Sequence, residues 1–150
     1  MDLLLWRHAE AIDGVPDADR PLSDRGHRQA QRMAGWLELH APRQLQILAS
    51  PTLRTRMTVA ALTDDYRVDE RIGTGAGSAD ILSACGWPND AGAVLIVGHQ
   101  PTLGQVAARL LSGTEADWSV KKGALWWIRS RRRDGRQDVV LRAVLSAELC

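Results

Sequence analysis

The sequence has few cysteines, no large excess of charge of either sign and no long apolar run. Its two cysteines, Cys85 and Cys150, lack metal-ligand spacing and are too few for a disulfide-built scaffold, so we expect reduced thiols. Nineteen Lys and Arg residues nearly balance eighteen Asp and Glu residues, which argues against non-specific binding to nucleic acid or membranes. No apolar stretch approaches the length that spans a membrane.

The amino-terminal segment also lacks the features of a secretion signal. Asp2 precedes a short apolar run, with no basic leader and no small-residue cleavage signature, so we expect a cytoplasmic protein. The chain has 150 residues, of which 45% are hydrophobic and 25% charged. This composition predicts one globular domain, residues 1–150, with enough material for a core.

Three short, nearly continuous apolar runs have the pattern of strands buried on both faces of a parallel sheet, at residues 3–6, 45–49 and 93–97. Amphipathic helical segments separate these runs. The first helix is predicted to begin after Ser23, a suitable N-cap, and to end before Pro42. Ser50 and Pro51 are interpreted as the N-cap and first residue of the second helix.

The remaining segments complete an α/β pattern. Residues 66–68 predict a shorter strand, and residues 79–84 predict a helix. In the last third, apolar runs at 124–128 and 139–144 flank Asp134-Gly135, a dipeptide typical of hairpin turns. Strands that alternate with helices before this hairpin imply right-handed crossovers. The fold class is therefore predicted as α/β: a three-layer α/β/α sandwich, with a mainly parallel central sheet and a C-terminal antiparallel hairpin.

Cationic and imidazole side chains follow three of the predicted strands. Arg7 and His8 end the first strand, Arg54 lies one turn into the helix after the second, and His99 follows the run at 93–97. Because ligands of open parallel sheets bind at the carboxyl ends of the strands, we expect these side chains to converge. Arginine matches phosphate oxygens bidentately, and helix N-termini favour anions. The pattern predicts a site for a dianionic tetrahedral group, with phosphate the natural guest.

Each of these residues alone also has an ordinary structural interpretation. An isolated Arg-His pair is more often a surface accident than a site. The ring of His99 could simply hydrogen-bond a nearby carbonyl, and Arg54 could be a solvated helix residue. His27 and His40, on a polar helix face and at a helix end, are interpreted in this way. The shared position after predicted strands is what favours a functional site.

The segments RHAEA, SPTLRTRMT and VGHQP, in this order, resemble the signature blocks of the histidine phosphatase superfamily, with Ala9 in place of the signature glycine. The short chain and the segment DADRPLSDRG make it most similar to small SixA-type phosphohistidine phosphatases. The resemblance implies that His8 attacks phosphorus to give a phosphohistidine intermediate, which water then hydrolyses. Arg7, Arg54 and His99 would clamp the phosphoryl oxygens, with no metal or other cofactor required.

A further arginine and a possible general acid each have two interpretations. The resemblance implies that Arg20 faces the phosphate pocket, although a solvated loop position stays open. Family members that cleave phosphate esters supply a Glu or Asp as general acid, because an alkoxide is a poor leaving group. Glu70 is the best placed candidate, but its surroundings lack a clear acid motif, and Glu10 and Asp13 are expected on the loop beyond His8. The imidazole of phosphohistidine can leave as a neutral ring without such an acid.

These considerations favour a phosphohistidine phosphatase acting on proteins. The alternatives are a small-molecule phosphomonoesterase, with Glu70 or Asp69 as its acid, and a non-catalytic phosphate-binding module. The expected partner is a phosphorylated protein or a small phosphorylated substrate, not nucleic acid or a membrane, and we expect a monomer. One arginine cluster predicts a solvated hairpin tip, with the steering of an acidic protein surface as the alternative: Arg129, Arg131, Arg132, Arg133 and Arg136.

Overall fold

A central sheet organises the protein in a computed structural model that describes residues 1–89 and 92–150. Among these residues the strands are β1 (Asp2–Arg7), β2 (Leu45–Ala49), β3 (Arg67–Val68), β4 (Ala93–Gly98), β5 (Leu125–Arg133) and β6 (Arg136–Leu145). They lie in the order β3-β2-β4-β1-β5-β6. The first four strands in that order are parallel, whereas β5 is antiparallel to both β1 and β6. The predicted mainly parallel sheet is therefore confirmed.

Helices cover both faces of the sheet. The described helices of more than one turn are α1 (Asp24–His40), α2 (Leu53–Ala60), α3 (Ser78–Ala84) and α4 (Thr102–Ser112). Leu4 and Trp6 of β1 are buried in one core, with apolar residues of α1 and α2, and Leu3 and Leu5 in a second core, with residues of α3 and α4. Because alternate residues of a strand face opposite sides, a strand covered on both sides is apolar throughout. The three-layer α/β/α class is confirmed.

Helix boundaries agree with the sequence signals except at α2. Ser23 caps α1 as predicted, since its side chain accepts a hydrogen bond from the Gly26 amide at 3.0 Å. The prediction for α2 is wrong, because the helix begins at Leu53 with Thr52 as N-cap. Ser50 instead extends the sheet, its amide donating to the Val97 carbonyl at 3.1 Å. None of the described helices is both long and apolar enough to cross a membrane.

The C-terminal hairpin forms as predicted but is longer. Asp134 and Gly135 make the turn with φ values of 50° and 75°, the left-handed pair that a tight hairpin requires. Leu125 pairs with Trp6 and Arg129 with Asp2 in the antiparallel register of β5 and β1. The hairpin tip therefore extends past the amino end of β1, and Arg7 lies at the opposite, carboxyl end of that strand.

Two glycines of α1 provide a matched test of the packing around the loop that follows β1. A Cβ on Gly26 would overlap the carbonyl of Glu10, whereas a Cβ on Gly35 would meet nothing within 4 Å. Gly35→Ala should raise the free energy of unfolding by about 0.5–1 kcal/mol through helix propensity and reduced unfolded-state entropy. Gly26→Ala should lower it by about 1–3 kcal/mol, because the loop must move. Urea unfolding measures both, and equal stabilisation by the two substitutions would contradict the close approach.

Candidate active site

The structure brings the two histidines of the sequence motifs side by side. Arg7 pairs with Gly98 in the parallel register of β1 and β4, so the next residue of each strand leaves the sheet at the same level. The ring centroids of His8 and His99 lie 5.3 Å apart. Both residues are buried, with 8% and 5% of their surfaces exposed. This end of the sheet therefore carries two adjacent imidazoles that bulk water barely reaches.

The protonation pattern of His8 follows from one hydrogen bond. Its Nδ1 lies 2.8 Å from the carbonyl oxygen of Ala9. Because a carbonyl only accepts, Nδ1 carries the proton and Nε2 keeps a free lone pair. The backbone fixes the ring as well, since the His8 amide donates to the Gly98 carbonyl at 3.0 Å. The free lone pair of the neutral His8 ring is therefore on Nε2.

Two arginines contribute unsatisfied donors to the same site. Nη1 of Arg7 donates to the Val120 carbonyl at 2.8 Å. Arg54 is 5% exposed and is the second residue of α2, not the fourth as predicted, because the helix starts later. The Nε–H groups of Arg7 and Arg54 are buried and have no hydrogen-bond partner among the described residues. Buried donors without partners are costly, and an oxyanion is the kind of group that satisfies a guanidinium N–H.

Asp17 holds two of the cations and was missed by the sequence reasoning. Its side chain accepts from Nη2 of Arg54 at 3.1 Å and from Nη1 of Arg20 at 3.0 Å, and its carbonyl accepts from Nη1 of Arg54 at 2.8 Å. These bonds lower the pKa of Asp17, with the Arg20 bond the largest cause and the Arg54 bond next. Arg20 thus lies at the rim of the site through its contact with Asp17. The only sequence signal was the spacing of Asp17 three residues before Arg20.

Hydroxyl groups that the sequence reasoning did not select support the pocket walls. The Ser50 hydroxyl lies 2.7 Å from Nε2 of His99. Thr58 donates its hydroxyl to the Arg54 carbonyl at 2.7 Å and accepts from the Ala9 amide at 3.0 Å, so it joins two motifs. Ala9 does not adopt a positive φ, and the lack of a glycine there causes no backbone strain.

Burial and neighbouring cations keep both histidines neutral. The pKa of His8 is lowered to about 4, with burial the largest cause. The hydrogen bond to Ala9 raises the pKa in opposition, and the charges of Arg54, Arg7 and Arg20 add to the lowering. Burial likewise lowers the pKa of His99 to about 3, with His8 and Arg54 as the next causes. Both rings are therefore uncharged near pH 7. A neutral His8 is the form that can attack an electrophile.

The remaining carboxylates considered from the sequence lie outside this arrangement. Glu70 is exposed in a short 3₁₀ helix, Glu70–Ile72, and its side chain makes no hydrogen bond or ion pair with a described residue. Asp69 is bound bidentately by Arg71, at 3.0 and 2.7 Å, and its pKa is lowered by these bonds. Glu10 accepts a hydrogen bond from Ser23 at 2.9 Å on the loop beyond His8. In the described part of the chain, no group of three or more His, Cys, Asp or Glu side chains is arranged to hold a metal ion.

The lowered histidine pKa values predict a pH-dependent stability. The unfolded chain binds protons at its histidines near the ordinary pKa of 6.5, whereas folded His8 and His99 bind them only near pH 4 and pH 3. The unfolded state therefore holds more protons between these limits, and stability falls as pH falls through this window. From pH 7 to pH 5 we expect a loss of about 1–2 kcal/mol per histidine in urea unfolding.

The substitution His8→Asn supplies the control for that measurement, because asparagine does not titrate. Between pH 7 and pH 5, the free energy of unfolding of this variant should fall by about 1–2 kcal/mol less than that of the native protein. Identical pH profiles for the two proteins would show that His8 does not fold in the neutral form.

Asp17 competes with any anion that binds Arg54. Asp17→Asn removes its negative charge but keeps a carbonyl oxygen for the arginines, so orthophosphate should bind about two- to fivefold more tightly, the effect of an exposed charge. Calorimetric titration measures the dissociation constant. Asp19→Asn is the matched control, because Asp19 lies in the same 3₁₀ helix, Asp17–Asp19, and makes no ion pair with a described residue. Weaker binding to the Asp17 variant would mean that the charge mainly orients the arginines.

Comparisons with known proteins place this geometry in a family. The model of the histidine phosphatase superfamily (branch 1) matches residues 3–73. An uncharacterized protein of Mycobacterium tuberculosis is 37% identical over 117 residues, which cover 73% of each chain. A structure from Nakamurella multipartitia, of a protein proposed to be the phosphohistidine phosphatase SixA, has a TM-score of 0.76 at 27% identity, over 96% of this chain and 94% of that one.

A second solved structure, the protein histidine phosphatase SixA complexed with tungstate, shares the fold with a TM-score of 0.82 at 22% identity. The alignment covers 98% of this chain and 97% of that one. The family model matches the segment that contains Arg7, His8 and Arg54, and the fold likeness extends over nearly the whole chain. The chain belongs to the histidine phosphatase superfamily.

Proposed function

We propose that this protein is a metal-independent phosphatase that removes phosphate from phosphohistidine in proteins through a covalent intermediate on His8. The observation that carries the proposal is the state of the carboxylates. Among the described residues, Asp17 has the only carboxylate within ion-pair distance of Arg7 or Arg54. The two arginines that bind Asp17 lower its pKa, so it stays ionised and has no proton to donate.

A substrate whose leaving group needs no protein acid fits this arrangement. An alkyl phosphate ester expels an alkoxide and depends on a proton donor in the site. Phosphohistidine expels an imidazole, which departs as a neutral ring when its other nitrogen is protonated. The exposed Glu70 carboxylate is not held toward the pocket by any contact with a described residue. The similarity to proteins named as SixA phosphohistidine phosphatases also supports this substrate class.

The first step forms a new P–N bond and breaks the one in the substrate. Nε2 of His8 attacks phosphorus with its lone pair while the substrate imidazole leaves with the electrons of its P–N bond. Arg7 and Arg54 stabilise the charge of the phosphoryl oxygens through their guanidinium groups, whose Nε–H groups have no hydrogen-bond partner among the described residues. His99, beside the nucleophile at a centroid distance of 5.3 Å, lines the same space.

In the second step water attacks phosphorus and His8 becomes the leaving group. The proton on Nδ1, held at 2.8 Å from the Ala9 carbonyl, stays on the ring. His8 therefore leaves as a neutral imidazole, and the proton of the attacking water passes to phosphate or solvent. The same hydrogen bond thus serves both half-reactions without a carboxylic acid.

Three substrates with different leaving groups test the proposal without added metal. The kcat/KM for a phosphohistidine peptide should be higher than that for phosphoserine by a factor on the order of 10²–10⁴, the range that general-acid catalysis contributes. An activated aryl ester, p-nitrophenyl phosphate, should fall between the two because its leaving group needs no proton. His8→Ala should abolish all three activities, and Glu70→Gln should change none of them.

Other outcomes would select the alternative functions. Efficient phosphoserine hydrolysis that Glu70→Gln abolishes would make the protein a phosphomonoesterase with Glu70 as its acid. Orthophosphate binding without any His8-dependent hydrolysis would indicate a phosphate-binding module. Either result would overturn the phosphohistidine assignment.

A further inference from the structure

A basic groove adjoins the catalytic pocket along one side of α1. We define this α1 groove by its exposed basic residues, Arg25, Arg28, Arg32, Lys121 and Lys122. A depression of about 390 Å³ contains Arg7, Arg25, Lys121 and Lys122 in its wall. A second depression, of about 240 Å³, contains Arg25, Arg28 and Arg32. Because Arg25 and Gln29 line both depressions, the groove is continuous from Arg7 outward.

The α1 groove carries uncompensated positive charge. Six basic residues line the two depressions, against two acidic residues, Glu10 and Glu148. Both acidic side chains lie within ion-pair distance of Arg25, at 3.7 and 3.8 Å. The other four exposed basic side chains of the groove make no ion pair with a described residue: Arg28, Arg32, Lys121 and Lys122.

Helix geometry aligns these charges with the site. Arg25, Arg28 and Arg32 are spaced three and four residues apart, so they lie along one face of α1. The face runs for about 10 Å between the first and the last of them, enough for about three residues of extended chain. Gln29, on the same helix, accepts a hydrogen bond from the Glu10 amide at 2.9 Å and so fixes the groove relative to the loop that follows His8.

We infer that the α1 groove binds acidic residues next to the phosphohistidine of a protein substrate, and so selects which phosphorylated proteins reach the pocket. This inference rests on the proposed function. An acidic polypeptide complements four unpaired cations. No lining residue of either depression is aromatic, so the groove lacks the stacking surface with which single-stranded nucleic acid is bound.

The hairpin arginines supply the control that separates this inference from general charge steering. Arg131 and Arg132 are exposed on β5, beyond Arg129, which pairs with Asp2 at the amino end of β1. His8 follows the carboxyl end of the same strand. Arg129 is bound bidentately by Asp2, at 2.8 and 2.9 Å, so the solvated tip contains only the other four arginines of the cluster. The tip lies at the opposite end of the strands from His8, and its charges cannot contact a residue flanking a phosphohistidine at His8.

The experiment compares two phosphohistidine peptides, one with acidic flanking residues and one with glutamine in their place. The native protein should hydrolyse the acidic peptide with a five- to tenfold higher kcat/KM, expressed mainly in KM, which is on the order of a few exposed charge pairs. The double substitution Arg28→Glu with Arg32→Glu should reduce this ratio to about one or below. Arg131→Glu with Arg132→Glu changes the charge equally and should leave the ratio unchanged.

Phosphoimidazole, which has no flanking residues, separates failure of the inference from failure of the proposed function. All the groove and hairpin variants should hydrolyse it at the native rate. If the native protein does not hydrolyse phosphoimidazole, the proposed function fails. Binding of a fluorescent, unphosphorylated acidic peptide then tests the groove alone, with weaker binding expected only for the Arg28 and Arg32 variant. An unchanged ratio in that variant, or an equal loss in the hairpin variant, would overturn the inference.

Discussion

The parallel register of β1 against β4 is the constraint on which the site depends. Arg7 opposite Gly98 makes His8 and His99 leave the sheet together. The register of β2 against β4 then places Ser50 beside His99, because Ala49 pairs with Val97. A slip of one residue in either pair would turn the strand's side chains to the opposite face and separate these groups. Burial of β1 on both faces makes such a slip costly, so the packing of the core fixes the relative positions of His8, His99 and Ser50.

The site combines two neutral histidines with buried arginines that keep their positive charge. Desolvation disfavours imidazolium, and the guanidinium groups add to that preference, so the histidines are neutral although the surroundings are cationic. Asp17 compensates Arg54 in the free protein, but it lies at the surface and leaves the buried Nε–H groups of Arg7 and Arg54 without partners. Among the described residues, these two N–H groups therefore have no acceptor, and an oxyanion is a group that could supply one.

The sequence predicted the sheet, the layers and the histidine motifs because these depend on local patterns. Continuous apolar runs identify strands buried on both faces, and the dipeptide at the hairpin turn requires positive φ values. The start of α2 was wrong because Ser50, a good local cap, is drawn into the sheet and toward His99. Asp17 and Thr58 were missed because the contacts that tie them to the site are distant in the chain: Arg54 is 37 residues from Asp17, and Ala9 is 49 residues from Thr58. Long-range hydrogen bonds of this kind leave no periodic signal.

The fold places the two basic clusters of the chain at different distances from His8. The hairpin arginines are consecutive and conspicuous in the sequence, yet the antiparallel pairing of β5 directs them away from His8. The α1 groove combines one face of α1 with Lys121 and Lys122, which are far from α1 in the sequence. The basic residues of the groove therefore do not form a cluster in the sequence. Under the function proposed above, the leaving-group chemistry distinguishes a phosphoramidate from an ester but does not distinguish one phosphohistidine protein from another. Contacts outside the reacting atoms would then have to select the protein, and the basic residues that share a depression with Arg7 are placed for such contacts.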